Sequence, residues 1–173
     1  MTEDELLFLI RARLATSRSW RGTPVRRATP AAIAEAEQVM GLPVPPLLRR
    51  IYLEVANGGF GPWDGVIGVG PDAWTSDDVD IVDTFRGFSE APHDYPPGLV
   101  PVYDVGCAIW WLIDFRDPSG PMWGWDTSGC CLDHAPTPQG LNLAEWLAEA
   151  YDGRESRKIV PQWVCKPLPP WAR

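Results

Sequence analysis

A chain of 173 residues, 45% of them hydrophobic, is long enough to bury a core of its own, so neither a disulfide framework nor a structural metal is required for folding. Its net charge of −8 is unevenly placed: the first fifty residues carry a formal +3, whereas Glu54 to Asp152 hold seventeen acids against only Arg86 and Arg116. Such a body repels phosphate backbones and anionic membrane and attracts a basic partner, so no nucleic-acid or membrane role is expected.

The amino-terminal Met1-Thr2-Glu3-Asp4-Glu5 is acidic and lacks the basic region of a secretory signal, and no apolar run approaches the ~18 residues of a membrane span. We therefore expect a soluble, cytoplasmic chain. Thr2 and Glu5 form a capping-box pattern ahead of Leu7, Ile10 and Leu14 at helical spacing, which predicts a first helix ending near Ser17. The Arg-rich stretch from Ser17 to Ala28, with Trp20, Gly22 and Pro24, reads as a loop. Thr29 then caps a second helix, with Pro30 at its first position, Ile33, Ala36 and Met40 on one face, and Gly41 at its end.

From Gly41 to Gly61 a proline-opened apolar helix, Val44 to Val55, runs into Asn57-Gly58-Gly59-Phe60-Gly61. Paired prolines are tolerated only at a helix start, and Asn57, Gly58 and Gly59 are expected to supply the positive φ that stops the helix and reverses the chain. The run Gly65-Val66-Ile67-Gly68-Val69-Gly70 predicts a buried strand; it has neither the Lys and Ser/Thr of a phosphate-binding loop nor a G-x-G-x-x-G spacing. Thr75 and Asp78, followed by Val79, Val82 and Phe85, predict a short helix with Asp77 and Asp78 in its first turn, where the helix dipole favours anions. Asp80 and Asp83 extend its acidic side. The run is no calcium loop, since the central glycine and closing glutamate are missing.

The second half reads as sheet. Leu99 to Tyr103 is short and apolar, and Cys107 to Asp114 alternates so that Cys107, Ile109, Trp111 and Ile113 share one face and Ala108, Trp110 and Leu112 the other, both faces being covered. Asp117-Pro118-Ser119-Gly120 fits a tight turn, and Pro121 to Asp126 returns as hairpin partner, so that Trp110, Trp111, Trp123 and Trp125 are expected to meet across the strands. Asn142 and Glu145 box the start of a last helix with a stripe of Leu143, Trp146, Leu147, Ala150 and Tyr151, closed by Gly153. The remainder from Ile159, with Pro161, Pro167, Pro169, Pro170, Trp163 and Trp171, reads as an extended tail.

The cysteines are Cys107, Cys130, Cys131 and Cys165, with no C-x-x-C pair and only His93 and His134, so zinc and thioredoxin-type spacings are absent and reduced thiols are the simpler reading. Cys130-Cys131 beside Asp133-His134 can be written as a nucleophile next to a base, but nothing in the spacing supplies an oxyanion site or a third member. No cofactor and no metal is expected.

Ile33, Glu37, Gly41, Val44-Pro45 (or Leu42-Pro43), Leu48, Ile51, Asn57-Gly58-Gly59, Gly65 and Ile113-Asp114 together resemble the pattern of the SUKH superfamily, bacterial immunity proteins with eukaryotic regulatory relatives. The resemblance spans roughly Thr29 to Tyr151. It implies an α+β domain, taken as residues 1–158 with a core at 29–153 and a tail at 159–173. Its sheet is mixed, mainly antiparallel, flanked by N-terminal helices and a C-terminal helix. It also implies a non-enzymatic protein that neutralises a polymorphic toxin, often a nuclease or deaminase, by binding it. Glu37, Gly41, Asn57, Gly58, Gly59, Gly65 and Asp114 then carry structural roles, Asp114 as a hairpin anchor or a partner contact. Trp63, Asp64, Trp74, Asp77, Asp78, Asp80 and Asp83, placed on loops and a helix face, are the candidate contacts to a basic toxin domain. The alternatives are a regulatory scaffold of the same fold that docks through the tail and the Arg-rich loop, and an enzyme built on Cys130, Cys131, Asp133 and His134.

Overall fold

The computed structural model describes residues 1–16, 26–90, 95–127 and 136–151. Helices α1 (Glu3–Thr16), α2 (Pro30–Met40), α3 (Pro46–Glu54) and α4 (Ile81–Ser89) precede strands β1 (Leu99–Gly106), β2 (Ile109–Asp114), β3 (Pro121–Asp126) and β4 (Thr137–Asn142), and α5 (Leu143–Tyr151) closes the series. The strands pair in sequence order, each pair antiparallel, which gives an α+β domain around one meander sheet.

Helix ends obey their local chemistry. At α1 the Thr2 N–H donates to Glu5 Oε2 at 2.7 Å and the Glu5 N–H to Thr2 Oγ1 at 3.3 Å, the reciprocal capping box. Leu6, Leu7 and Ile10 turn inward, while Phe8 and Leu9 remain exposed. Thr29 Oγ1 accepts the Ala32 N–H at 3.1 Å, and Gly41 ends α2 at φ 68°, where its N–H reaches Glu37 O. α5 repeats the box with Asn142 and Glu145, both bonds at 3.0 Å. α3 buries Leu47, Leu48, Ile51 and Tyr52 at the centre of the core.

Several expectations change. Asn57 does not adopt positive φ; Gly58 (83°) and Gly59 (68°) do, after α3 has stopped at Val55. The run 65–70 is buried from Gly65 to Val69 but forms no ladder beyond one bridge, Val66 to Tyr103, and one further bond from the Ile67 N–H to Val102 O. Its other backbone groups are taken on several sides, by Gly59, Phe60, Trp74 and Ile81, and the Tyr52 hydroxyl donates to Ile67 O at 2.6 Å. The segment nonetheless covers the outer edge of β1, a place where bare strand edges invite aggregation.

The helix expected from Thr75 begins instead at Ile81. Asp80 is its cap, accepting the N–H groups of Val82 and Asp83 through Oδ1 and that of Gly70 through Oδ2. Ahead of it, Asp77 (φ 50°) and Asp78 (φ 65°) form the centre of a tight turn closed by the Val79 N–H on Ser76 O at 3.0 Å. Likewise Cys107 and Ala108, expected in a strand, are the turn of the β1–β2 hairpin at φ 53° and 65°. Both φ signs match the type I′ turn, whose twist suits antiparallel strands.

The sheet buries both faces, as expected. A bulge between Pro101 and Tyr103 sends both Val102 and Tyr103 to the helix side, where they join Val100, Trp111, Ile113 and Met122. Trp111 there packs on Trp146 of α5, ring centres 5.3 Å apart. The opposite face holds Leu99, Leu112 and Trp125, under Phe88 of α4 and Tyr95. Only Trp110 and Trp125 stand directly opposite each other; Trp123 faces Leu112, and Trp111 faces Gly124 on the other side, because residue parity separates the adjacent tryptophans. Phe88 meets Trp110 edge-on at 5.0 Å and Tyr95 stacks on Trp125 at 5.5 Å.

β4 was not foreseen. Pro138 and Gly140 make it a poor strand by composition, and it exists as an edge strand on β3, the position where proline is tolerated. Gly153, the Arg-rich loop from Ser17 to Pro24 and the Pro/Trp tail lie outside the described residues.

Candidate partner-binding site

Six non-glycine residues have φ between 48° and 65° among the described residues: Trp63, Asp64, Asp77, Asp78, Cys107 and Ala108. They form three two-residue turns, distant in sequence, that are tied to the carboxyl-terminal end of β1. The first hangs from the Val66 to Tyr103 bridge and from Gly65, whose Cα lies so close to the Tyr103 ring that an added Cβ would stand 2.1 Å from a ring carbon. The second is joined through Ser76 Oγ, which donates to Asp104 Oδ2 at 3.4 Å. The third follows β1 directly, with Asp104 Oδ1 accepting the Gly106 N–H at 2.7 Å and Ala108 O accepting the Thr127 N–H.

Trp63 is 68% exposed, although it sits on a closely held turn. The Asp64 N–H donates to Gly61 O and the Gly65 N–H to Pro62 O, making one 3₁₀ turn, while the Gly61 N–H donates to the hydroxyl of Tyr151 at 2.8 Å. A tryptophan with positive φ is uncommon, and such residues cost roughly 1–2 kcal/mol of backbone strain each. Burial, opposed by the Gly61 N–H and assisted by the Asp64 carboxylate, pushes the Tyr151 hydroxyl up to about 12, and the Arg13 charge also reaches this group. Burial first and the Asp104 carboxylate second push Tyr103 up to about 12.

The structure thus ties the segments carrying Trp63-Asp64 and the exposed Asp77-Asp78 to two consecutive residues of β1, Tyr103 and Asp104, and adds Asp104 itself and Asp126, the latter facing Ile109 across the hairpin. Neither addition was singled out from sequence; their only signal was an acid placed at the end of a strand. Trp74 and Asp80 do not join this rim. Trp74 is half-buried, its N–H donating to Asn57 O and its carbonyl accepting from Gly68, and Asp80 is engaged in the α4 cap. Asp83 lies on the exposed side of α4, 3.4 Å from Arg86.

The remaining motif residues frame the domain. Glu37 Oε1 accepts the Val44 N–H at 2.9 Å and Arg49 Nη1 at 2.6 Å, tying the end of α2 to the start of α3. Asn57 is 1% exposed and holds Val69 by both backbone groups, accepting its N–H and donating to its carbonyl, each at 2.8 Å. Asp114 accepts Arg116 Nε at 2.8 Å and Nη2 at 2.7 Å, a two-point pair at the end of β2.

The Cys107-Ala108 turn offers a direct measure of the strain. Ala108→Gly is expected to raise stability by about 0.5–1 kcal/mol, since glycine reaches φ 65° without a Cβ penalty and the space beside it is a hairpin tip. Urea melts check this, and a lower midpoint would contradict it.

Among the described residues no group of His, Cys, Asp and Glu is placed to hold a metal ion, and no helix is long and apolar enough to cross a membrane. Cys130, Cys131, Asp133 and His134 lie outside the described residues. Comparison with curated proteins gives no match. The model of the SMI1 / KNR4 family (SUKH-1) matches residues 27–149, a span that holds every motif residue from Ile33 to Asp114 and well over half of the chain, and the chain belongs to that family.

Proposed function

We propose that the protein is an immunity-type binder that neutralises a cognate toxin of nuclease or deaminase class by laying an acidic, aromatic rim over the basic site that otherwise holds nucleic acid. The observation that supports this reading is that the turns carrying Trp63, Asp64, Asp77 and Asp78 are attached to consecutive residues of β1, Tyr103 and Asp104, with their backbone held in place before any partner arrives. Preorganised turns lose little entropy on binding, and tryptophan is among the residue types enriched at the energetic centres of interfaces. An interface of this kind buries roughly 800 Å² on each side, and the acids accelerate encounter more than they deepen affinity.

Co-expression in a host cell with each toxin domain encoded beside the gene tests the reading. Rescue with a 1:1 complex is the expected result, with Asp77→Lys and Asp78→Lys together slowing association about tenfold or more at low salt. Trp63→Ala is expected to weaken the complex by about thirtyfold or more while leaving the melting temperature unchanged or raised. Absence of rescue by every neighbour would overturn this reading in favour of a regulatory scaffold.

A further inference from the structure

A second surface lies between α2 and α4. Ala32 and Ala36, four residues apart on α2, are short enough to leave a trough against Val82 of α4, and its volume is about 170 Å³. Pockets for free small molecules run from about 300 to 1,000 Å³, so this trough matches one side chain rather than a metabolite. Its rim carries Glu35 from α2 and Asp83 and Arg86 from α4, and Asp80, whose carboxylate is engaged by the Gly70, Val82 and Asp83 N–H groups, lines it too. Glu35 is exposed. The Asp83–Arg86 pair spans 3.4 Å with both side chains more than half exposed, a pairing that contributes little and exchanges readily.

We infer that this groove receives one arginine or lysine side chain from a protein partner. The aliphatic stem lies over Ala32, Ala36 and Val82, as long cationic side chains cover apolar surface while keeping their charge in water, and the cationic head sits between Glu35 and Asp83. Charge complementarity selects the occupant: the two rim carboxylates, with Asp80 beside them, outweigh one guanidinium, so an acidic side chain is repelled and a neutral one gains only the shallow apolar floor. The incoming cation takes Asp83 from Arg86, which swings into solvent at little cost. The biological meaning of this occupant rests on the proposed basic protein partner; the groove itself is measurable without one.

Titration of the full-length protein with N-acetyl-arginine methylamide, followed by amide chemical shifts, is the test. Saturable shifts at Ala32, Ala36 and Val82 with a midpoint near ~1–10 mM are expected, as suits a single side chain. They should weaken at least fivefold in Glu35→Gln/Asp83→Asn and strengthen about twofold in Arg86→Gln, all three sites being exposed and away from the core. N-acetyl-glutamine methylamide should leave these amides unmoved. Non-saturating shifts, or shifts unchanged in the Glu35/Asp83 variant, would overturn the inference. Rescue of a toxin-bearing cell alongside a flat titration removes the groove and leaves the immunity reading. Saturation here with no rescue by any neighbour removes the immunity reading and leaves the groove.

Discussion

Asn57→Ala is expected to cost about 3–5 kcal/mol, a large share of the 5–15 kcal/mol that holds a domain of this size together. The side chain is buried and bonds both backbone groups of Val69 at 2.8 Å, so alanine leaves a buried N–H and a buried carbonyl without partners, at about 1–3 kcal/mol each, along with a small void. No other residue type replaces it well, because only a primary amide presents an acceptor and a donor side by side at that length. Asn57→Asp separates the two bonds. One carboxylate oxygen still accepts from Val69, but the other then faces the Val69 carbonyl, and burial adds to the repulsion, so the aspartate is raised above its unfolded value near ~3.9. A raised acid stabilises the fold fully below its unfolded value and loses that contribution as pH rises through its folded value. The gap in melting temperature between Asn57→Asp and the parent should therefore narrow from pH 7 to pH 4, while the gap for Asn57→Ala stays constant. A pH-independent gap for Asn57→Asp would show that Val69 finds another partner.

This residue also marks how far the sequence could be read. Its place in an Asn-Gly-Gly run was plain, and the reversal of the chain there was correctly expected, yet the work of Asn57 depends on Val69, twelve positions on, and no local pattern announces that bond. Helix starts were legible because capping is local: Thr2 with Glu5, Thr29 with Pro30, and Asn142 with Glu145 all formed as written. α4 shows the limit. Thr75 and Asp80 are both acceptable caps, and the choice falls to Asp80 because the Gly70 N–H bonds its carboxylate and Gly68 O takes the Ile81 N–H, contacts made only after the chain has folded back. Cys107-Ala108 carries none of the Asn-Gly chemistry of a type I′ turn, and β4 none of the composition of a strand. The candidate rim was legible as residues but not as a place: the segments of Trp63 and Asp77 are fastened to the neighbouring Tyr103 and Asp104, through the Val66 bridge and the Ser76 hydroxyl.

That dependence makes Gly65→Ala the most informative change for linking frame to function. The added Cβ would lie 2.1 Å and 2.6 Å from two carbons of the Tyr103 ring, far inside van der Waals contact. The ring cannot simply swing away: Tyr103 is 3% exposed and packs on Trp146, ring centres 6.0 Å apart, while the Gly65 backbone is held by its own N–H on Pro62 O. Overpacking at such a point costs about 1–3 kcal/mol, and here the upper end is expected. Tyr103→Leu alone should also destabilise, by about 2–3 kcal/mol, through lost ring contacts. In the double variant the shorter side chain vacates the space the new methyl needs, so the loss should fall at least about 1 kcal/mol short of the sum of the two single losses. Simple additivity in urea melts would mean that the turn, not the ring, yields. The same variants separate stability from recognition, because the segment that Gly65 presses against β1 also carries Trp63. Well below its melting temperature, Gly65→Ala should bind a rescued toxin more weakly than its folded fraction explains, and the Tyr103→Leu background should restore part of that affinity. Affinity that merely follows the folded fraction would place Trp63 outside the interface.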